Sequence, residues 1–468
     1  MSSITVPHMT IAGAAARAEE IYNVADPATG ETFAEAPACS TRQLDQAFSA
    51  ALDAQPAWEA DENGRRALML EVADAIVAAG DELGRWLIRE TGKPSWLPPI
   101  EIDAAEGWLR YYAATEIPRT LVSEDETARV ELRHRAAGVA AGIIPWNFPV
   151  GSAIWKIAPA MRTGCAIVLK PSPFAPLAVL RLGEILAEHL PPGVVSVVSG
   201  DDALGAAMAS HPVPRKISFT GSIAAGKQVA LAGAPDLKRL TLELGGNDAA
   251  LLLPDVELNA AVPALLATAT FNTGQVCAIP KRVYVPEPLY DDAVEAFAEG
   301  ARAISLGAGD DGQMGPLSTK PQFDRVSALV AEALRGGARA AAGGVAGEGP
   351  GYFFPATVLA GVADADRIVV EERFGPVIPI LPYRDLDDAI TRANGTMYGL
   401  CGSVWSADPE RAAAVAERLE CGVAYVNAHA TLPPQMPFLG TKWSGVGVEN
   451  GIDGLLDFTE RQVVYTAS

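Results

Sequence analysis

The sequence predicts an α/β protein of two or three domains, and three observations predict it. At 468 residues and 49% hydrophobic, the chain can bury a large core but is too long for a single one. Between residues 136 and 253 short apolar runs alternate with helical segments, the rhythm of βαβ units on an open sheet. Two short alternating segments lie far apart, at 128–135 and 462–465, and have the pattern of half-exposed strands.

Taken in order, residues 128–135 predict a strand, and the apolar runs 136–144 and 166–169 predict buried strands. Val179, Leu182, Leu186 and Leu190 recur three to four apart, which predicts a helix over 177–190. Pro191-Pro192-Gly193 stops it, and 194–198 resumes as a strand. Residues 216–219 form a further strand, followed by the turn Thr220-Gly221-Ser222 and a helix from Ile223. That turn lies at the carboxyl end of a strand, where ligands of α/β sheets bind.

A second α/β stretch runs from about 252 to 430. Its apolar helix over 260–271 ends at the Gly274 loop that delivers Cys277. The glycine-containing breaks 307–315 and 336–351 predict surface loops. Residues 455–458 and 462–465 predict strands, and such distant strands can pair in a small projecting sheet whose edge needs a partner.

Composition narrows the function. With 36 basic and 57 acidic residues the net charge is −21, which repels nucleic-acid phosphates and anionic lipids; neither nucleic acid nor membrane is an expected partner. The first ten residues lack a basic region followed by an apolar core, so a cytoplasmic location is expected. Cys39, Cys165, Cys277, Cys401 and Cys421 are odd in number and scattered without a CxxC, so no disulfide framework is expected. His8, His134, His189, His211 and His429 are equally dispersed, and no metal site is expected.

Two motifs carry chemistry. Cys277 closes Phe271-Asn272-Thr273-Gly274-Gln275-Val276-Cys277, and Glu243 opens Glu243-Leu244-Gly245-Gly246-Asn247-Asp248. A thiol nucleophile and a carboxylate base together point to covalent chemistry on a carbonyl. The Gly221-Ser222 turn, directly before a helix, offers amide donors to a phosphate, or is an ordinary strand-to-helix turn. Lys170 in Val168-Leu169-Lys170-Pro171-Ser172-Pro173 could meet a ribose or phosphate, or be a solvated edge residue. No GxGxxG follows an early strand.

These motifs join others in a fixed order: Pro145-Trp146-Asn147-Phe148-Pro149, Lys170-Pro171-Ser172, Phe219-Thr220-Gly221-Ser222, Glu243-Leu244-Gly245-Gly246, Gly274-Gln275-Val276-Cys277, Glu371-Glu372-Arg373-Phe374-Gly375-Pro376, and Pro437-Phe438 with Lys442 and Ser444-Gly445. In that order and spacing the chain resembles the aldehyde dehydrogenase superfamily over almost its full length. The Lys170-Pro171-Ser172-Pro173 variant, the Asn247-Asp248 ending and Gly447-Val448-Glu449-Asn450-Gly451 resemble a bacterial subgroup of aldehyde dehydrogenases that implies no particular substrate.

The resemblance implies oxidation of an aldehyde to a carboxylic acid by NAD or NADP. It implies a Rossmann-like cofactor domain (1–121 and 137–245), an α/β catalytic domain (246–430) and a small oligomerisation β-sheet (122–136 and 452–468), in a homodimer or homotetramer. Cys277 matches the nucleophile that forms a thiohemiacetal, and Asn147 the donor that meets the oxyanion beside the Cys277 amide, a contribution of about 10²–10³ in rate. Hydride transfer leaves an acyl-thioester, and Glu243 matches the base that activates water to hydrolyse it.

On the cofactor side, Ile144 and Trp146 match the strand end bordering the dinucleotide, and Lys170, with Ser172 beside it, a ribose contact. Gly221 and Ser222 match a pyrophosphate contact, Glu372 the nicotinamide ribose, and Phe374 the nicotinamide border. Pro173 departs from the pattern: many NAD-preferring relatives carry Glu there for the adenine ribose 2′-hydroxyl, so NADP is tolerated on this reading. Phe148, Trp155, Phe271 and Phe438 match the aldehyde tunnel and favour an apolar or aromatic aldehyde; core packing is their other reading. Two alternatives stand beside hydrolysis: a coenzyme A-acylating enzyme, and a non-catalytic cofactor-binding oligomer. Glu243 leans toward hydrolysis.

Overall fold

Runs of aliphatic residues buried on both faces build two large sheets, as covered parallel strands require. The computed structural model describes residues 6–467, so the expected segments 1–121 and 452–468 extend outside the described residues at 1–5 and 468. The first sheet orders its strands as Gly445–Val446, Arg239–Glu243, Lys216–Thr220, Val139–Ile143, Ala166–Lys170, Val195–Val197, Met9–Ile11 and Ala14–Ala16. The five central strands are parallel, and the outer ones antiparallel. Helices Leu177–His189 and Ile223–Gly233 follow their strands, the first where periodicity places it and the second directly after the Gly221-Ser222 turn.

The run 136–144 is not one strand. Ala136 ends the strand Ala128–Ala136, Gly138 turns the chain at φ 101°, and Val139 opens the buried strand. Only glycine adopts that angle without steric cost, so a single apolar run is shared between two sheets.

The second sheet is ordered Arg339–Ala342, Thr357–Ala360, Val377–Tyr383, Pro280–Pro286, Asp248–Leu252, Cys401–Trp405, Val423–Val426. Alternate residues separate to two cores: Ala249 and Leu251 face Tyr284, Leu381 and Val404, whereas Ala250 and Leu252 face Val283, Val285 and Ile380. This is the two-residue period of a strand at work. The expected loop 336–351 contains an edge strand, Arg339–Ala342, antiparallel to Thr357–Ala360. It is held between Gly337 and Gly343, both at positive φ, and its alanines gave the run no strand signature.

The two distant alternating segments do pair. Thr459–Ala467 lies antiparallel to Ala128–Ala136, with Thr120–Glu124 on the other side. Residues 455–458, expected as a strand, are instead the end of helix Gly451–Leu456 and the following turn. Leu455 and Phe458 both enter the first core, and their three-residue spacing is helical rather than alternating. Among the described residues no helix is long and apolar enough to cross a membrane.

Candidate active site

Helix Leu258–Thr270 ends in a tight turn in which Asn272 (φ 49°), Thr273 (φ 58°) and Gly274 (φ 71°) are all left-handed. Such a run is costly for residues with a Cβ and persists only where the surroundings fix it. Here Asn272 Nδ2 donates to Asn147 O at 3.0 Å, Thr273 Oγ1 to Gly315 O at 3.1 Å, and the Ser318 amide to Gln275 Oε1 at 2.8 Å. A side chain at Gly274 would collide with the Gly375 backbone. Lys281 then holds the next carbonyls, donating to Val276 O at 2.8 Å and Cys277 O at 2.5 Å. Cys277 is left partly exposed.

Asn147 lies just before helix Pro149–Thr163, and its Nδ2 donates to Gln275 O at 2.9 Å. One amide proton ties it to the cysteine loop, and the other remains for a second acceptor. The helix start is fixed by Glu101, whose Oε1 accepts from the Val150 and Gly151 amides at 2.9 and 3.0 Å. A carboxylate at a helix N-terminus meets both unsatisfied donors and the dipole. Glu101 pairs in turn with buried Lys93, which lies 4.4 Å from the Phe148 ring centroid. Glu90 repeats the device at helix Leu177–His189, accepting from Leu177 and Ala178 at 2.6 and 3.0 Å.

Glu243 ends the strand Arg239–Glu243, is 4% exposed, and has one carboxylate oxygen without a hydrogen-bond partner. Burial, reinforced by the charge of Glu449, pushes it up to about 8, with Lys156 pulling the other way. The Cys277 thiol is pushed well above its ordinary value, first by burial and then by the charge of Glu243, with Lys281 opposing. Both shifts favour the protonated forms, so each group needs to lose a proton to act.

Asn147, Glu243 and Cys277 line one cleft of about 510 Å³, together with Trp146, Gly221, Ser222, Glu372 and Phe374. Ser222 caps helix Ile223–Gly233, its hydroxyl accepting from the Ala225 amide at 3.2 Å. Glu372 accepts from the Gly246 amide at 3.2 Å and lies 3.2 Å from Lys281; burial raises it and Lys281 opposes. The Trp146 and Phe374 rings meet edge to face at 5.4 Å.

Ile144, Lys170 and Ser172 do not line that cleft. Ile144 donates its amide to Lys170 O at 3.1 Å, Lys170 Nζ donates to Pro171 O at 3.1 Å, and Ser172 Oγ accepts from the Phe174 amide at 3.3 Å. Burial pushes Lys170 down to about 8, against the charges of Asp202 and Asp201. The four aromatics fall into two pairs. Trp155 and Phe438 meet at 5.8 Å in a cluster that Cys277 also joins. Phe148 stacks on Phe271 at 6.1 Å, and Phe271 also lines a separate surface groove with Trp96 and Leu266.

The structure adds residues that the motifs left out. Lys156 pairs with Glu449 and donates to Thr220 Oγ1 at 2.6 Å, which places a buried ion pair beside Glu243. Lys281 bridges the Cys277 loop and Glu372. Lys156 stands inside an apolar run, Ala153-Ile154-Trp155-Lys156-Ile157-Ala158, a signal available in the sequence, since lysines are rarely buried unless paired.

The sequence profile of the aldehyde dehydrogenase family matches residues 14–464. A phenylacetaldehyde dehydrogenase of Pseudomonas fluorescens is 35% identical over 490 aligned positions, covering 100% of this chain and 97% of the relative. An aldehyde dehydrogenase of a Fusarium species, LUC3, is 36% identical over 464, covering 98% and 99%. Among solved structures, an NAD⁺ complex of aldehyde dehydrogenase from Bacillus cereus superposes with a TM-score of 0.96 at 34% identity, covering 99% of this chain and 97% of that one. Lactaldehyde dehydrogenase from Escherichia coli gives 0.95 at 33%, covering 99% and 100%. The chain belongs to the aldehyde dehydrogenase family and is an NAD(P)-dependent oxidoreductase.

Proposed function

We propose that this enzyme oxidises an apolar or aromatic aldehyde to its carboxylic acid through a covalent intermediate on Cys277. The observation that carries the reading is the convergence of Cys277, Glu243 and Asn147 on one cleft. The Cys277 thiol gives its proton to solvent water and becomes the nucleophilic thiolate, whose sulfur bonds to the aldehyde carbon. The carbonyl electron pair moves to oxygen, where the Asn147 amide and the Cys277 backbone N–H hold the charge. Bound NAD or NADP would supply the acceptor for the hydride of this carbon; once that hydride is lost, the oxyanion electron pair re-forms the carbonyl and leaves a thioester on Cys277. Glu243 in its ionised form then takes a proton from water, the resulting hydroxide attacks the thioester carbon, and the Cys277 sulfur departs with its electron pair. A carboxyl near 8 is suited to that task, because a base works best with a pKa near the working pH.

The residues present fit a dinucleotide. The Gly221-Ser222 turn opens an eleven-residue helix toward the cleft, a place for a pyrophosphate; Glu372 supplies acceptors for ribose hydroxyls, and Trp146 and Phe374 border the nicotinamide. Ile144, Lys170 and Ser172 lie at the ends of the adjoining strands Val139–Ile143 and Ala166–Lys170, where the adenine half would extend. With proline at 173, that position supplies no carboxylate to discriminate against NADP. Trp155 and Phe438 beside Cys277, together with the phenylacetaldehyde-oxidising relative, support an apolar substrate. The sheet with outer strand Thr459–Ala467 supports a homodimer or homotetramer.

The buried carboxylate oxygen of Glu243 that lacks a partner favours water over coenzyme A as the final acceptor. An aldehyde panel assayed with NAD and NADP, with and without coenzyme A, tests the reading. Acid formed in step with reduced cofactor, without need of coenzyme A, is expected. A strict coenzyme A requirement would overturn the hydrolytic step.

A further inference from the structure

A buried polar cluster stands behind the aldehyde side of the cleft. Asp248 opens the strand Asp248–Leu252, Ser403 lies in the neighbouring strand Cys401–Trp405, and His429 follows the strand Val423–Val426. His429 Nδ1 is 2.8 Å from Ser403 Oγ, and Nε2 is 3.4 Å from Asp248 Oδ2. The side chains of His429 and Asp248 have no exposed surface. The second Asp248 oxygen accepts from the Cys401 amide at 3.1 Å, and Trp405 Nε1 donates to Ser403 Oγ at 2.9 Å. Since Ser403 accepts from Trp405, its own proton is available to Nδ1, and Nε2–H then faces Asp248. The trio has the composition of a hydrolytic triad, but Ser403 is wholly buried, and no substrate meets it.

What the cluster does hold is a loop. Asn427 (φ 49°) and Ala430 (φ 59°) flank His429 in left-handed conformations, which side-chain anchors must sustain. The Asn427 amide clasps Ser406, accepting its N–H and donating to its C=O at 2.9 Å each. The Tyr425 hydroxyl donates to Thr431 O at 3.0 Å. From this pinned loop Ala428, Leu432 and Met436 pack onto the cluster that includes Phe438, Trp155 and Cys277. Gly246 lies between this cluster and the nucleophile's backbone: a Cβ there would stand 2.6 Å from Cys277 O and 2.9 Å from Asp248 Oδ1.

We infer that His429, clamped between Asp248 and Ser403, is a positioning residue that sets the apolar wall beside Cys277 and thereby selects aldehydes by size. The inference rests on Cys277 as the nucleophile of the proposed reaction. Its test compares the parent with His429→Ala, His429→Gln and Ser403→Ala on acetaldehyde and phenylacetaldehyde, with NADH affinity read by fluorescence. For His429→Ala the ratio of kcat/KM between the two aldehydes is expected to shift about tenfold, mostly through KM. NADH affinity is expected to stay within about twofold. Ser403→Ala should shift the ratio less, in the same direction, and His429→Gln should recover part of the parent ratio, because an amide both donates and accepts.

If His429→Ala does not fold, Ser403→Ala and His429→Gln carry the test. An active parent whose folded variants all keep the ratio within about twofold overturns the inference, as does a parallel loss of NADH affinity and of both aldehydes. A parent that oxidises neither aldehyde sinks the reading of the site itself, and the inference with it.

Discussion

Glu243 and Cys277 both need to lose a proton in surroundings that disfavour charge, so single substitutions there separate the steps of the reaction. Cys277→Ala is expected to lower aldehyde oxidation by at least about 10³ while NADH still binds, because the thiol makes the covalent bond but does not hold the cofactor. Turnover within about tenfold of the parent would rule out the nucleophile assignment. Glu243→Gln should retain a rapid first release of NADH followed by slow turnover, since activated water is needed only for deacylation; equal loss of both phases would make Glu243 an ordering group.

The raised Glu243 also carries a pH signature. Deacylation should rise with pH through about 8, because only the ionised form accepts a proton. The stability sign is opposite. With a folded-state value near 8 against an ordinary 4.5, the native protein keeps a proton that the unfolded chain releases. The stability contributed is complete below about 4.5 and lost as pH rises through 8. Thermal unfolding should therefore show Glu243→Gln gaining on the parent between those values, and a constant Tm difference would contradict the shift. At the adenine end, Pro173→Glu should raise the NAD over NADP ratio of kcat/KM by about tenfold, by adding a hydroxyl acceptor and a charge against the 2′-phosphate. An unchanged ratio would place residue 173 away from that ribose.

Cys277 and Glu243 were legible in the sequence because each sits in a local motif. The pairing of Lys156 with Glu449 was not, because it joins positions 293 apart, and a motif read locally says nothing of its partner. His429 was visible only as one of five dispersed histidines.

At the level of elements, the helix Pro149–Thr163 links the proposed oxyanion donor to a buried ion pair. Glu101→Gln removes the charge that Lys93 answers and weakens the cap on Val150 and Gly151. A loss of about 3 kcal/mol in stability is expected, as for other broken buried pairs, with a slower NADH burst because the cap lies next to Asn147. Adding Lys93→Met should return part of the stability. A burst rate unchanged while Tm falls would leave Glu101 with a stabilising role alone. The strongly periodic helix Leu177–His189 and the aliphatic strand Ala166–Lys170 declared themselves in sequence. Arg339–Ala342 and Gly451–Leu456 did not, since alanine and glycine carry little strand signal and four residues are too few to separate a two-residue period from a helical one.

For the whole molecule, the outer strand Thr459–Ala467 exposes Val463 at 63% and Tyr465 at 65%, together with an open backbone edge. Light scattering is expected to give at least twice the monomer mass, and truncation after Gly454 to lower the mass or cause misfolding. A well-folded intact monomer at micromolar concentration would contradict the oligomer. The pairing of the two alternating segments could be anticipated from their pattern, but the order of strands in the large sheets could not, because it is set by which faces pack together rather than by any local run.

The same small sheet has a consequence for biosynthesis. Its middle strand, Ala128–Ala136, waits for a partner that the ribosome makes about 325 residues later, as the His134–Thr459 contact measures. At ordinary elongation rates that interval is roughly 20–60 s, during which one edge of the nascent strand has no partner from its own chain. Arg129, Glu131, Arg133 and Arg135 alternate along it, and a charged edge resists pairing with a neighbouring nascent chain. The charges that form ion pairs in the finished protein would guard the chain while it is being made.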